Sequence, residues 1–354
     1  MTLAVNIAQI GSNNTTFRNR IINGAMVIDQ RNAGAAVTNN NYCTDRWRVE
    51  TVSDGVFSAQ QVSDAPTGFV KSLKWTTTTA DSNLTTNQYA IIRQGIEGFN
   101  TADLMWGTAN AKTITVSFWV KSSLTGTFGG TVHNSDATRS YPYSYTISAA
   151  NTWEQKSVTI AGDTTGTWTT DNNAGIQIYW GLGVGPTYSG TANTWAASIY
   201  IAPTGAVSVI GTLNATFYIT GVQLEAGTTA SPFEYRSYGT ELALCQRYFS
   251  TSFQGGGTPA SPDSLSVTQT GAQFTNCNSV NAASVNFSVQ MRSAPTVSIY
   301  APLVSPAVGK VRKSVDGFIF TNGAASFIGE RGFFPSGGDA NNPFQYGWVA
   351  SAEL

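Results

Sequence analysis

The stretch Thr113-Ile114-Thr115-Val116-Ser117-Phe118-Trp119-Val120-Lys121 alternates with period two. Ile114, Val116, Phe118 and Val120 fall on one side, and Thr113, Thr115, Ser117, Trp119 and Lys121 on the other. Successive side chains of a strand point to opposite faces, so the pattern predicts a strand with one buried and one wet face. Two antiparallel sheets packed face to face produce that alternation. Trp119, opposite the Phe118 face, is expected at an interface and not in the main core.

Working outward, Ser157–Ile160, Gly175–Trp180 and Ala215–Leu224 also read as strands, separated by Asn-, Gly- and Thr-rich turns. Many short strands with turn signals between them indicate a sandwich. Residues 41–235 are read as one large β domain, in which only Thr86–Gln94 is a candidate for a short helix. Residues 1–40 form a separate unit, with a turn signal at Asn23-Gly24 between short apolar stretches. Such a unit buries little by itself and is expected to pack on a neighbouring subunit or a particle. Residues 236–250 read as a linker, with a helical turn or two at Glu241–Phe249. Residues 251–354 read as a second, smaller β domain, with strands at Ser284–Val289, Pro295–Tyr300, Gly317–Phe320 and Phe344–Ala350.

Composition narrows the function. Charged residues are 11% of the chain, against roughly 25% in an ordinary globular protein. Hydroxyls and amides take their place, a pattern of extracellular or virion β-proteins. A hydrophobic content of 41% argues against disorder. The net charge of -1 offers no basic stripe, so no nucleic-acid partner is expected. No run of 18 apolar residues appears, so membrane insertion is not expected, and the first residues do not read as a secretory signal. Cys43, Cys245 and Cys277 have no metal-site spacing. They are read as buried thiols, with a Cys245–Cys277 bridge as the alternative.

Candidate chemistry is sparse. His133 is the single histidine, so no two-histidine metal centre can form within a chain; it is read as an ordinary hydrogen-bonding residue. Asp45, Glu50, Asp54, Asp81, Glu97, Asp103 and Glu154 are the carboxylates from which a glycan hydrolase would draw its pair, but none lies in a recognisable catalytic motif. No catalytic residue and no metal site is assigned. Aromatic rings suit sugars better: a pyranose lays its apolar face on a ring, and amides and hydroxyls take its edge. Trp106, Tyr143, Trp168, Trp180, Tyr188 and Trp195 are the candidate glycan-binding residues, with Tyr179 beside them. Each has sandwich core or intersubunit packing as its alternative reading. Arg46-Trp47-Arg48 is a candidate anchor for the N-terminal unit, and Lys310-Val311-Arg312-Lys313 reads as a solvated hairpin.

Several stretches resemble phage virion structural proteins of the tail fibre and head fibre type. Arg20-Ile21-Ile22-Asn23-Gly24-Ala25-Met26-Val27-Ile28-Asp29-Gln30-Arg31 is similar to their opening. Phe217–Glu234 is similar to the end of a carbohydrate-binding-like jelly roll found in them, Glu241–Phe249 to the linker that follows, and Ala350–Leu354 to their closing strand. The resemblance implies an all-β chain: an N-terminal attachment arm, a jelly-roll β-sandwich and a second, smaller β-sandwich. It implies a homotrimer located in the virion and bound to other virion proteins of the tail or capsid. Arg20, Asn23, Met26, Gln30 and Arg31 would then serve particle attachment. A structural calcium is sometimes held in such modules, and the loop between Glu225 and Glu234 is the place for one; no other cofactor is expected.

The reading is a non-enzymatic virion structural protein, a short tail fibre or tail appendage that adheres to a host-surface glycan. A capsid decoration or head-fibre protein and a glycan hydrolase stand as alternatives. The low charge points to a neutral glycan read by hydrogen bonds.

Overall fold

The computed structural model describes residues 17–253, 284–301, 308–313, 319–320, 322–337 and 344–354. Two antiparallel sheets form the large domain. In spatial order, the first contains β1 (Asn41–Thr44), β2 (Trp47–Val52), β5 (Tyr89–Glu97), β10 (Ala174–Val184), β7 (Gly126–His133) and β8 (Ser140–Ile147). The second contains β3 (Val56–Val62), β4 (Ser72–Thr79), β13 (Thr216–Ala226), β6 (Ile114–Ser122) and β9 (Glu154–Ile160). Strands distant in the chain lie side by side, β10 between β5 and β7 and β13 between β4 and β6. This interleaving is that of a jelly-roll sandwich. A short parallel pair, β11 (Ser189–Gly190) and β12 (Ala202–Pro203), lies outside both sheets.

Alternation does what the sequence predicts in β6. Ile114, Val116, Phe118 and Val120 are fully buried, while Trp119 is half-buried on the other side. Between the sheets, Trp47, Phe118, Tyr143 and Trp180 form a chain of ring contacts at centroid distances of 5.5–6.4 Å. β13 changes register between Thr220 and Gln223. Gly221 sits there at φ +60°, and a Cβ on it would come within 2.6 Å of the Phe69 ring, so both the bend and the close approach require glycine.

The Thr86–Gln94 stretch is not helical. It enters β5, which pairs with β2 on one side and β10 on the other. Ala90, Ile92 and Ile96 point into the core, and pairing on both edges outweighs local helix propensity.

The N-terminal segment also departs from expectation. Asn23 and Met26 are fully buried and Arg20 is 8% exposed. Arg20 forms a bidentate pair with Asp103 at 2.8 and 2.9 Å. Asn23 Nδ2 donates to the carbonyls of Ile28 and Asp45, and Trp47 Nε1 donates to the Asn23 carbonyl at 2.9 Å. Gln30 Nε2 donates to the Phe249 carbonyl, and Arg31 pairs with Glu353. The five residues expected to attach the particle therefore spend their polar groups inside their own chain, because the sandwich offers carbonyls and carboxylates that a bare arm lacks. Trp47 supplies the anchor expected of Arg46-Trp47-Arg48. Residues 1–16 lie outside the described residues.

The linker contains α1 (Tyr238–Gln246), capped by Ser237 Oγ, which accepts from the Thr240 amide at 3.3 Å. Its Cys245 packs with Ile22, Ile28 and Tyr248 in a small cluster. Cys43 and Cys245 are free, buried thiols, and burial pushes both up in pKa. Cys277 lies outside the described residues, and with it the alternative bridge.

The C-terminal module contains three small sheets. β14 (Phe249–Thr251) and β16 (Thr296–Tyr300) flank β22 (Gly347–Ser351); β15 (Val285–Asn286) and β19 (Ala324–Gly329) flank β20 (Gly332–Ser336); β18 (Ile319–Phe320) and β21 (Phe344–Gln345) flank β17 (Val311–Lys313). Phe287, Met291, Phe333 and Trp348 form its core. Arg247 holds this module to the first, bonding to both Glu97 oxygens at 2.5 and 2.9 Å, and Arg292 donates to the Asn172 and Ala352 carbonyls.

Candidate functional site

Register places a part-exposed polar strip on the outer side of the six-stranded sheet. Across its strands, Arg48, Arg93, Tyr179, Thr131 and Pro142 lie in one row. The row two residues along contains Glu50, Ile91, Gly181, Gly129 and Ser144, and the row on the other side contains Gly95, Gln177, His133 and Ser140.

Small residues decide what covers these rows. A Cβ on Gly129 would come within 2.3 Å of Pro203, and one on Gly181 within 2.9 Å of Ala202, so the segment carrying β12 lies directly on that row. At the other side, a Cβ on Gly95 would lie 3.2 Å from Leu354, the last residue of the chain. Between the two covers, Arg48, Arg93 and Tyr179 stay part-exposed. The Arg48 side chain is 35% exposed and the Arg93 side chain 15%, which leaves the first open to an incoming partner.

The row is charged and aromatic. Glu50 lies 3.1 Å from Arg48 and 3.3 Å from Arg93, and accepts from the Tyr89 hydroxyl at 2.8 Å. Two guanidiniums thus share one carboxylate. Burial and the neighbouring Glu50 raise the Tyr89 hydroxyl, and burial raises Tyr179, so both remain protonated donors at neutral pH. Tyr188 meets Tyr89 edge to face at 5.7 Å, and Arg93 stands 5.7 Å from the Tyr179 ring centroid. His133 abuts the other edge of Tyr179 at 4.6 Å. Burial holds its pKa down at about 4, and Nδ1 bonds to the Asn134 carbonyl at 2.8 Å. That makes it a neutral, structural imidazole. Such a surface can stack a sugar ring, donate several hydrogen bonds and take a carboxylate.

Of the predicted aromatic residues, Tyr188 belongs to this face. Tyr143 and Trp180 do not: both are fully buried in the sandwich core, where no ligand can stack on them. Trp180 shares strand parity with Ile176 and Ile178, so its ring must turn inward. Trp106, Trp168 and Trp195 come together elsewhere, edge to face at 4.6–5.7 Å. Their indole N–H groups donate to the carbonyls of Lys112, Thr165 and Ala161. Trp106 is 7% exposed and the other two are half-buried, so this triad is chiefly a small core under the loops beside β8. Sequence reasoning missed Arg48, Arg93 and Gln177 as site residues. The signal lay in parity: on β2, β5 and β10 these polar side chains alternate with buried Val49, Ile92 and Ile178.

The acids weighed as hydrolase pairs are mostly structural. Asp45 accepts from Gln30, Asp81 from the Asp54 and Asn83 amides, Glu97 from Arg247 and Tyr248, Asp103 from Arg20, and Glu154 from Lys156 and two backbone amides. Glu225 accepts from the Ser231 amide and hydroxyl and from Gln223, and Glu234 from the Asn19 amide. Donors therefore occupy the Glu225 and Glu234 carboxylates, which flank the loop expected to hold a calcium. Among the described residues, no group of three or more His, Cys, Asp or Glu is placed to hold a metal ion.

No family model matches the chain, and no curated protein matches it. Among solved structures it is similar to the enzymatically active domain of tailspike protein 4 of bacteriophage CBA120, at 14% identity and TM-score 0.34, over 59% of this chain and 21% of that one. It is similar to the family 11 carbohydrate-binding module of a Clostridium thermocellum cellulosomal cellulase, at 12% identity and TM-score 0.28, over 55% of this chain and 98% of that one. It is also similar to the CBM22-1–GH10 modules of a Clostridium thermocellum xylanase solved with xylohexaose, at 13% identity and TM-score 0.28, over 65% of this chain and 35% of that one. The chain spans 21% of the length of the tailspike chain it resembles.

Proposed function

We propose that this chain is a non-enzymatic glycan-binding protein of a phage particle, and that the outer row Arg48–Arg93–Tyr179, with Tyr89 and Tyr188, is its glycan site. The observation that carries the reading is the strip itself: aromatic rings and hydrogen-bond donors left part-exposed between the segment carrying β12 and the end of the chain at Leu354. Arg48 and Arg93 against the single Glu50 favour a glycan bearing carboxylates, which revises the neutral glycan expected from composition. The position in the virion, a tail appendage acting as a homotrimer, rests on the resemblance of the 20–31 and 217–234 stretches. Weak single-site contacts become firm attachment when several copies bind one surface.

Binding of the purified chain to arrayed neutral and uronate-containing oligosaccharides tests the site. Retention of acidic glycans that is lost in Arg93→Ala and Tyr188→Ala, and kept in Trp168→Ala, is the expected result. Failure of every glycan, or binding insensitive to both variants, rejects it. Cryo-electron microscopy of the particle tests the placement: density on the capsid in place of the tail makes this a decoration protein.

A further inference from the structure

A cavity lies away from the sheet face, where the N-terminal segment, the β3–β4 loop and the start of α1 meet. Its volume is about 390 Å³, within the range of small-molecule sites. Val27, Phe69, Val70, Phe233, Tyr235 and Tyr238 form its walls. Phe69, Phe233 and Tyr235 are in mutual ring contact at 4.8–5.5 Å. Val70, Tyr235 and Tyr238 are 67%, 61% and 64% exposed. Apolar groups this open beside a cavity offer a contact surface to an apolar ligand.

The polar groups of the cavity narrow the ligand. The Tyr235 hydroxyl donates to the Gly68 carbonyl at 2.7 Å. Arg236 is divided among the Ile21 and Asn19 carbonyls, Glu234 at 3.6 Å and Glu241 at 3.5 Å. The Glu241 carboxylate accepts from the Asn23 amide. These groups are spent, and a sugar entering here would exchange many water hydrogen bonds for few. Lys71 differs. It lines the cavity too, and its ammonium donates at 3.1 Å to Ser63 Oγ, a neutral acceptor, with no ion pair formed among the described residues.

We propose that this cavity binds an amphipathic carboxylate, a ligand with an apolar ring or chain among Phe69, Phe233 and Tyr235 and a single anionic head at Lys71. The site is independent of the glycan strip and does not rest on that reading. Its ligand class is opposite in character: one charge and an apolar body, against many hydroxyls.

Saturation-transfer NMR on the full chain tests it, with phenylbutyrate, its neutral amide phenylbutyramide, octanoate and glucuronate as probes. Saturation of the phenylbutyrate ring and octanoate chain protons is expected, with phenylbutyrate preferred over its amide by about fivefold, the upper size of one screened charge pair. Lys71→Ala should erase that preference while the amide still binds. Val70→Glu, an exposed position whose change leaves the core intact, should abolish binding of both without altering the melting temperature. Absence of saturation from the apolar carboxylates overturns the proposal. So does binding unchanged in Val70→Glu, a preference for acid that survives Lys71→Ala, or displacement of phenylbutyrate by glucuronate.

Discussion

The Arg46 guanidinium and the Glu353 carboxylate, 307 positions apart, form an ion pair that joins the edge of the large domain to the end of the chain. Arg46 is 2% exposed, lies 3.6 Å over the Tyr248 ring and donates to the Gly95 carbonyl at 2.6 Å. Arg31 reaches the same carboxylate at 2.5 Å. Removing one partner of a buried pair leaves an uncompensated charge. Glu353→Ala should therefore lower stability by about 3 kcal/mol. Arg31→Ala, whose side chain is more exposed, should cost less. Urea unfolding of the two variants checks the order, and equal effects would count against the buried pair as the main clasp.

Two buried groups should give opposing pH dependences. His133 has its pKa held at about 4, below the ordinary 6.5, by burial. Between these values the unfolded chain binds the proton and the folded chain does not, so stability rises with pH across that window and is lost on acidification. The effect is on the order of 3 kcal/mol. Asp45 has its pKa raised from 3.8 to about 7, chiefly by burial. The folded chain then holds the proton more tightly, and stability falls as pH rises between those values. The two windows overlap between about pH 4 and 6.5 and their slopes oppose, so His133→Gln should leave a melting temperature that falls with pH there, and Asp45→Asn one that rises. Unchanged profiles would show that neither burial controls titration.

Trp180 and Trp195 should separate packing from loop structure. Trp180 is fully buried against Trp47, Phe118 and Tyr143, so Trp180→Ala should cost about 3–5 kcal/mol. Trp195 is half-buried, and Trp195→Ala should cost about 1–2 kcal/mol and leave glycan affinity unaltered. Denaturant midpoints and array binding measure both. Loss of binding in a folded Trp195 variant would move the glycan site to the triad.

Salt should weaken acidic-glycan binding at the proposed strip. Arg48 and Arg93 lie at the surface, where about 0.15 M salt screens charges beyond roughly 8 Å. Acidic-glycan affinity should fall severalfold on raising salt to about 1 M, while binding of a neutral oligosaccharide stays constant. Titration calorimetry at two ionic strengths reads this, and equal slopes for the two ligands would exclude the guanidiniums as the recognising groups.

Much of the sandwich was legible in strand parity. Ile114, Val116, Phe118 and Val120 announced a buried face, and they form one. The same rule, pressed further, separates Tyr179 from Trp180: neighbours on a strand face opposite ways, and Trp180 shares parity with Ile176 and Ile178. Tyr143 likewise shares parity with buried Tyr145. The Thr86–Gln94 stretch was not legible in this way, since its strand state comes from β2 and β10, which lie far from it in the chain.

What the sequence by itself determined was the β class and, through alternation, which side of each strand is apolar. Those are local properties, set by the two-residue repeat of the extended backbone. Only the tertiary structure decided which polar row remains open, because its covers, Leu354 and the Ala202-Pro203 segment, come from remote parts of the chain. It also turned Arg20, Asn23 and Met26 from an arm into an integral layer. Their remote partners, Asp103, Asp45 and Trp47, meet them only when the sheets close, and burial then makes those hydrogen bonds obligatory.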